Sequence, residues 1–358
     1  MRVPLQIVRN NIVKMPVDAI VNAANAHLLA GGGVCGAIFS AAGEAELQRA
    51  CDQIGGCPTG QAVITPGFAL QAKWIIHAVG PVWHGGHCGE EALLRSAYTS
   101  SLALASKHRL KSIAFPLISS GIYGYPKDQA LKVALSAIQD YLLAGEEMDV
   151  YLVVFDSRAF QLSEALSQGV QSYIDEHYVR EIERTDTYRI RQQAEFLESF
   201  ESSQPSDDFE FPMPRAVPQA PASASDPFQK DGLRALKELL SHRREETFAD
   251  MLLRLIDEKG FAKDSIVYKR ANLERSVFSK LRSGKCAPSK STAIALAVAL
   301  ELNMDQARDL LARAGYALSP SSLSDVIVSY FIENGWYDIL EINAVLFEYN
   351  LPCLGAKG

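Results

Sequence analysis

The stretch VNAANAHLLAGGGVCGAIFSAAG, residues Val21 to Gly43, decides the fold. An apolar β-branched run over Ala19–Asn22 reads as a strand and enters Asn22-Ala23-Ala24-Asn25 without a break. Gly31, Gly32 and Gly33 follow, and a helical pattern opens near Gly36. Glycines at such a junction let backbone N–H groups approach a phosphate or ribose without Cβ clashes, and the N-terminus of the next helix favours an anion. A strand, a glycine turn and a helix in that order predict an α/β protein with a ligand loop at a strand end.

The same alternation extends outward. Strands are predicted over Leu5–Val8, Ala19–Asn22, Ala62–Thr65, Trp74–Ala78, Ser112–Phe115 and Val150–Phe155. Helices are predicted over Gly36–Ala42, Ala45–Ile54, Glu90–His108, Lys127–Ala144 and Arg158–Tyr173. Interleaved strands and helices predict a three-layer α/β/α sandwich around a largely parallel or mixed sheet. Ligands gather at the carboxyl ends of strands in such sheets, so the loops that follow strands are the places to search. Two further loops qualify. In PLISSGIYGYP, Pro116 to Pro126, the run Ser119-Ser120-Gly121-Ile122-Tyr123-Gly124 is placed to form a nest of N–H donors around a diphosphate, with Tyr123 over a sugar. In FDSRAF, Phe155 to Phe160, an aromatic just past the last strand is placed to stack on a purine.

These three segments, with IIHAVGPVW (Ile75 to Trp83) between them, resemble the macrodomain family, especially its bacterial O-acetyl-ADP-ribose deacetylase and MacroD-like hydrolase branch. The resemblance covers residues 1 to about 165, with several motifs in order. It implies a fold that binds ADP-ribose and often cleaves it from other molecules, with ADP-ribose or an ADP-ribosylated protein as partner and no metal or organic cofactor. By resemblance, Asn25 orients the distal ribose or the attacking water. Gly32, Gly33 and Val34 line the diphosphate and distal ribose, Ser119, Ser120, Gly121, Ile122 and Tyr123 embrace the diphosphate, and Asn22 belongs to the same ligand-binding set. Ile12 offers backbone contacts to adenine, with Phe155 and Asp156 framing that end of the pocket. The scissile bond then falls near Asn25 and the Gly31–Cys35 loop, which makes Asn25, Gly33 and Cys35 the catalytic candidates.

Two positions depart from the family pattern. Asn10-Asn11-Ile12 stands where many members have an Asp before the isoleucine, so Asn11 would meet the adenine amino group through a side-chain carbonyl without charge assistance. Gly32-Gly33-Val34-Cys35-Gly36 stands where MacroD-like hydrolases have Gly-Gly-Val-Asp-Gly. A thiol is a weaker general base than a carboxylate, and related viral members that lack the Asp are regarded as using the substrate's own phosphate and an oriented water. The thiol also has a plainer reading as a small buried filler. The function expected is therefore hydrolysis of mono-ADP-ribose from protein, or of O-acetyl-ADP-ribose. The alternatives are a non-catalytic ADP-ribose reader or an ADP-ribose-sensing nucleic-acid-binding regulator.

Elsewhere, His84, His87 and Cys88 have a spacing that could hold zinc, but no second compact ligand pair follows, so a solvated loop is expected. His27 and His77 read as core or rim residues. The six cysteines are scattered, without the dense spacing of a disulfide scaffold. The N-terminal apolar run is too short for a signal peptide. Ala293–Leu302, the most apolar later stretch, falls far below the roughly 20 residues of a membrane span. A cytoplasmic protein without membrane association is expected.

Three segments divide the chain: the macrodomain at 1–170, a helical extension and flexible linker at 171–229, and a separate all-α domain at 230–358. The linker, Ser202 to Pro227, is rich in Pro, Ser, Ala and acids and cannot bury enough apolar surface to order itself. In the C-terminal part helices are predicted over Leu233–Arg243, Glu246–Lys259, Ser265–Ala271, Ser276–Arg282, Ser289–Leu302, Met304–Ala314, Leu323–Glu333 and Ile339–Tyr349, with Asp264, Ser289 and Ser322 as N-caps. Ser276-Val-Phe-Ser-Lys-Leu-Arg-Ser-Gly-Lys285, then Pro288-Ser289, resembles the lambda-repressor-like helix-turn-helix family. Eight Lys and Arg residues between Lys263 and Lys290 stand against only Asp264 and Glu274. The resemblance implies nucleic-acid contacts through Lys280 and Arg282; a charged solvated face that meets protein is the other reading. The whole chain, at net charge −7, is no general polyanion binder.

Overall fold

The computed structural model describes residues 4–144, 147–155, 162–178, 180 and 246–355. The linker Ser202–Pro227, the expected helix Leu233–Arg243 and the candidate ligand residue Asp156 lie outside these. Six strands, β1 (Leu5–Arg9), β2 (Ala19–Ala23), β3 (Ala62–Pro66), β4 (Trp74–Ala78), β5 (Ser112–Phe115) and β6 (Asp149–Val154), form one sheet in the order β1-β6-β5-β2-β4-β3. Every neighbouring pair is parallel except β3 with β4, so the sheet is mixed as expected.

Side chains alternate across a strand, and β2 shows what that does here. Ile20 enters a core with Phe39 and Leu47, under α1 (Gly33–Ala42) and α2 (Glu44–Ile54). Ala19 and Val21 point the other way, into a core with Leu94, Tyr98 and Ile138, under α3 (Glu90–Lys107) and α4 (Lys127–Leu143). Helices on both faces bury β2 almost entirely, which is why it reads as a continuous apolar run. Together the layers are the α/β/α sandwich expected of the N-terminal part.

After β6 a helix, α5, spans residues 164–178. The C-terminal region is helical throughout its described length: α6 (Phe248–Glu258), α7 (Asp264–Arg270), α8 (Arg275–Arg282), α9 (Lys290–Ala299), α10 (Met304–Arg313), α11 (Leu323–Glu333) and α12 (Ile339–Glu348). Helix α9 is buried from Thr292 to Ala299 and packs against α7, α10 and α12. Ser289 caps α9 by accepting from the Thr292 N–H at 3.2 Å. Ser322 stands at the N-cap of α11, but its hydroxyl pairs with Ser324 Oγ instead of a backbone N–H of the helix. Asp264 is not a cap: Lys263 holds that position, and the Asp264 carboxylate pairs with Arg282 instead. Asn303, with Gln306 in a capping box, and Asp338 are caps that the sequence reading missed. Among the described residues no helix is long and apolar enough to cross a membrane.

Residues Met1–Asp175 and Phe248–Gly358 make one compact unit, and a second covers Glu176–Thr247. Within the first, one buried apolar cluster runs from α3 and α4 through β1, β6 and α5 into α6–α12, so the helical region is joined to the sandwich by a continuous core. The join lies along β1, an edge strand. Asn272, at φ 52°, accepts from the Leu5 N–H at 3.0 Å and donates to the Leu5 carbonyl at 2.8 Å, the pattern a neighbouring strand would supply. Further along, Arg9 donates to Asn350 and lies 5.3 Å from the Phe347 ring centroid. Tyr330 packs against Tyr173 of α5, at 5.3 Å between ring centroids.

Candidate ligand site

Two turns leave the carboxyl ends of the sheet and converge on one cavity. The first follows β2 and opens α1. Its N-cap is Gly32, without a side-chain bond, so the N–H groups of Gly33, Val34 and Cys35 have no acceptor within the helix. The turn is tight because Gly36 packs on Gly31: a Cβ there would fall 2.4 Å from the Gly31 carbonyl oxygen. The second follows β5. Gly124 donates to the Gly121 carbonyl, Tyr125 to that of Ser119, and Trp83 to that of Tyr123, which fixes the loop. Among the described residues, none of the N–H groups from Ser119 to Tyr123 donates to a protein acceptor. Ser119 takes a left-handed φ of 65°, is 6% exposed, and its Oγ has no hydrogen-bond partner. That side chain lies over Gly80, where a Cβ would come within 2.2 Å of Oγ.

The cavity between the turns has a volume of about 290 Å³ and is lined from β2, both loops and the end of β6. Of the candidates, Asn25, Gly32, Gly33, Val34, Cys35, Ser119, Ser120, Gly121, Ile122, Tyr123 and Phe155 all line it. Phe155 and Ile122 are 69% and 91% exposed at its rim. Ala23, Ala24, Gly80, Pro116, Leu117, Ile118, Val153 and Val154 also line it and were not singled out from the sequence. No charged side chain appears among the described lining residues, so an anion here meets backbone N–H groups and helix-end polarity rather than a basic residue.

Three candidates do not reach the wall. Asn11 accepts from the Val13 N–H at 3.2 Å and so caps the short 3-10 turn Ile12–Lys14. Ile12 is buried in the core under α1. Asn22 is fully buried behind Cys35, donating to its sulfur at 3.6 Å and to His77 Nδ1 at 3.1 Å. Asn25 lines the cavity but spends its amide on its own loop: it donates to the Leu29 carbonyl and accepts from the N–H groups of His27 and Leu29.

Behind the wall runs a buried polar line, Thr65–His77–Asn22–Cys35, with Thr65 Oγ1 2.9 Å from His77 Nε2. Burial pushes the imidazole down to about 4, so it is neutral near pH 7. With Nδ1 taking the Asn22 N–H, the ring proton sits on Nε2 and is donated to Thr65. Tyr123 is held above the usual phenol range, first by burial and then by Cys35 nearby. The loop carrying His84, His87 and Cys88 is organised by Glu90, whose carboxylate accepts from the N–H groups of His84, Gly86 and Cys88. Burial alone would raise that carboxyl, but backbone N–H donors, its own among them, outweigh it and hold it below the ordinary value. Among the described residues no cluster of three or more His, Cys, Asp or Glu is arranged to hold a metal.

In the helical region α8 exposes Arg275, Ser276, Ser279, Lys280 and Arg282. Arg275, Ser276 and Ser279 border a cleft of about 550 Å³ whose other wall includes Lys111, Gln139 and Leu142 of the sandwich. Lys111, Lys269 and Arg275 in this cleft are matched by Glu147, Asp149 and Glu274, and Arg282 is paired with Asp264.

The architecture is a mostly parallel α/β/α sandwich with two glycine-bearing turns converging on a cavity at its strand ends. The chain belongs to the macrodomain family. The Macro domain pattern matches residues 21–134. A macro domain-containing protein of Cupriavidus necator is 51% identical over 163 residues, 44% of this chain and 94% of the relative. An O-acetyl-ADP-ribose deacetylase of Salmonella gallinarum is 50% identical over 163 residues, 44% of this chain and 90% of the relative. A solved macrodomain of Oceanobacillus iheyensis with ADP is 42% identical, covering 43% of this chain and 85% of that one, at a TM-score of 0.42.

Proposed function

We propose that this chain binds ADP-ribose in the cavity between the two turns and hydrolyses its acyl or protein-linked esters, O-acetyl-ADP-ribose being the simplest. The observation that carries the reading is the set of unused backbone N–H groups on both walls, at Gly33–Cys35 and Ser119–Tyr123. A diphosphate supplies acceptors for both runs at once, and Phe155 at the rim offers an aromatic face to a purine. The Salmonella relative's name points to the same substrate class.

Hydrolysis adds water across the ester: the hydroxyl goes to the acyl carbon and a proton to the departing ribose oxygen. The described lining residues include no carboxylate, so the attacking water gives its proton to the bound diphosphate, which passes it to the departing ribose oxygen. Incubation of the full chain with O-acetyl-ADP-ribose and with a mono-ADP-ribosylated protein, beside calorimetry with ADP-ribose, tests this. Binding with release of acetate or of the protein label is expected, and Cys35→Asp should turn over faster. Absence of binding overturns the whole reading. Binding without turnover, in the wild type and in Cys35→Asp alike, establishes the second reading, an ADP-ribose reader, which the missing carboxylate favours. Nucleic acid has no comparable support, since the charges along the α8 cleft cancel. Duplex DNA should show no mobility shift that Lys280 or Arg282 substitution removes.

A further inference from the structure

We infer that Cys35 is an oxidation site within the ligand cavity, where peroxide converts its thiol to a sulfinate that occupies the anion-binding turn from inside and shuts the diphosphate out. The inference rests on the function proposed above for this cavity.

Cys35 lies in the first turn of α1 and lines the cavity, 7% exposed. Its sulfur is the one thiol among the described lining residues. The thiol donates to the Leu29 carbonyl at 3.8 Å, and in the same turn the N–H groups of Gly33, Val34 and Cys35 have no acceptor within the helix. The Asn22 amide already donates to the sulfur at 3.6 Å, and neutral His77, on the far side, holds that amide in the donor orientation. Ser119 lines the same cavity, and its buried Oγ lies over Gly80 without a partner. A wall of unmatched donors with an oxidisable sulfur among them is arranged for an anion, whether it arrives as a ligand or forms on the side chain. Sulfinate oxygens accept charge-assisted bonds, stronger than those the thiol receives.

The other cysteines do not compete for this role. Burial pushes Cys51 and Cys353 up to about 11 and raises Cys57, so these stay protonated. Cys88 and Cys286 are exposed, but neither lines the cavity, so their oxidation leaves the ligand untouched.

Two equivalents of hydrogen peroxide are consumed. In the first step the peroxide O–O bond breaks, one oxygen bonds to sulfur to give the sulfenic acid, and the other leaves as water. The second step repeats this to give the sulfinic acid, which releases its proton to solvent. Each step oxidises sulfur by two electrons and reduces one peroxide.

The test uses the full chain carrying Cys88→Ser and Cys286→Ser, treated with hydrogen peroxide and followed by peptide mass spectrometry. Two added oxygens on the Cys35 peptide, slowed by prior ADP-ribose, are expected, with ADP-ribose affinity lowered at least tenfold. Addition of Cys35→Ser should remove the peroxide response, so that this variant's affinity is the same with and without peroxide. Cys35 remaining reduced under conditions that oxidise Cys88 in the wild type overturns the inference. So does full oxidation with affinity unchanged, or an equal loss in the Cys35→Ser protein. Should the untreated protein fail to bind ADP-ribose, the functional reading falls and thermal melting decides this one. A sulfinate matched by the turn raises Tm only when Cys35 is present; an unchanged or lower Tm overturns it.

Discussion

A methyl group on Gly80 would stand 2.2 Å from Ser119 Oγ and 2.6 Å from Ile118 Cγ2. Gly80→Ala should therefore push the second turn off its donors while leaving the sheet intact. Overpacking of this kind costs about 1–3 kcal/mol, and ADP-ribose affinity measured by calorimetry should fall by about tenfold or more. Affinity within twofold of the wild type would mean the loop's position does not matter. His77 gives a prediction in pH. Its folded value is lowered to about 4 from 6.5, so below pH 6.5 the unfolded chain takes up a proton that the native one refuses. Stability from this group is complete above pH 6.5 and drains away as pH falls towards 4, by about 3 kcal/mol in all. Urea titrations of wild type and His77→Asn across that window should differ in slope, the variant being flatter. Residues of the two turns were legible in the sequence because glycine and serine after a strand carry their own backbone logic. Gly80 and His77 were not: the first is needed for a contact with Ser119, 39 residues on, and the second shows its role only once Asn22 and Thr65 are in place.

At the scale of elements, the strands and helices stand close to where hydrophobic period placed them, since buried parallel strands have few other ways to read. What the period hides is which elements meet. Nothing local marks Asn272 as the partner of Leu5, 267 residues away. A short polar side chain after a helix reads as an ordinary turn. Asn272→Ala leaves the Leu5 N–H and carbonyl unpaired in a buried place and puts alanine at a positive φ. A loss of about 1–3 kcal/mol is expected from the unpaired groups, measured by urea unfolding; a loss below about 0.5 kcal/mol would show that solvent replaces the amide. Asp264 illustrates the opposite error, a good capping residue drawn instead into an ion pair with Arg282.

For the whole molecule, a separate helical domain was the natural expectation, because composition changes sharply after the linker. The continuous core across β1, α5 and α6–α12 ties stability of the two regions together. Calorimetry should accordingly record one cooperative transition for sandwich and helices, with a calorimetric enthalpy equal to the van't Hoff value. Two resolved peaks would mean the join is marginal. The Asn272 amide on Leu5 carries a further consequence. An open edge strand is a template on which a second polypeptide can add itself, the opening step of domain exchange and fibre growth. By mimicking a peptide unit at the first residue of β1, Asn272 ends that invitation inside the monomer, and a protein with this side chain shortened should be recognised first by precipitation at high concentration rather than by loss of its ligand.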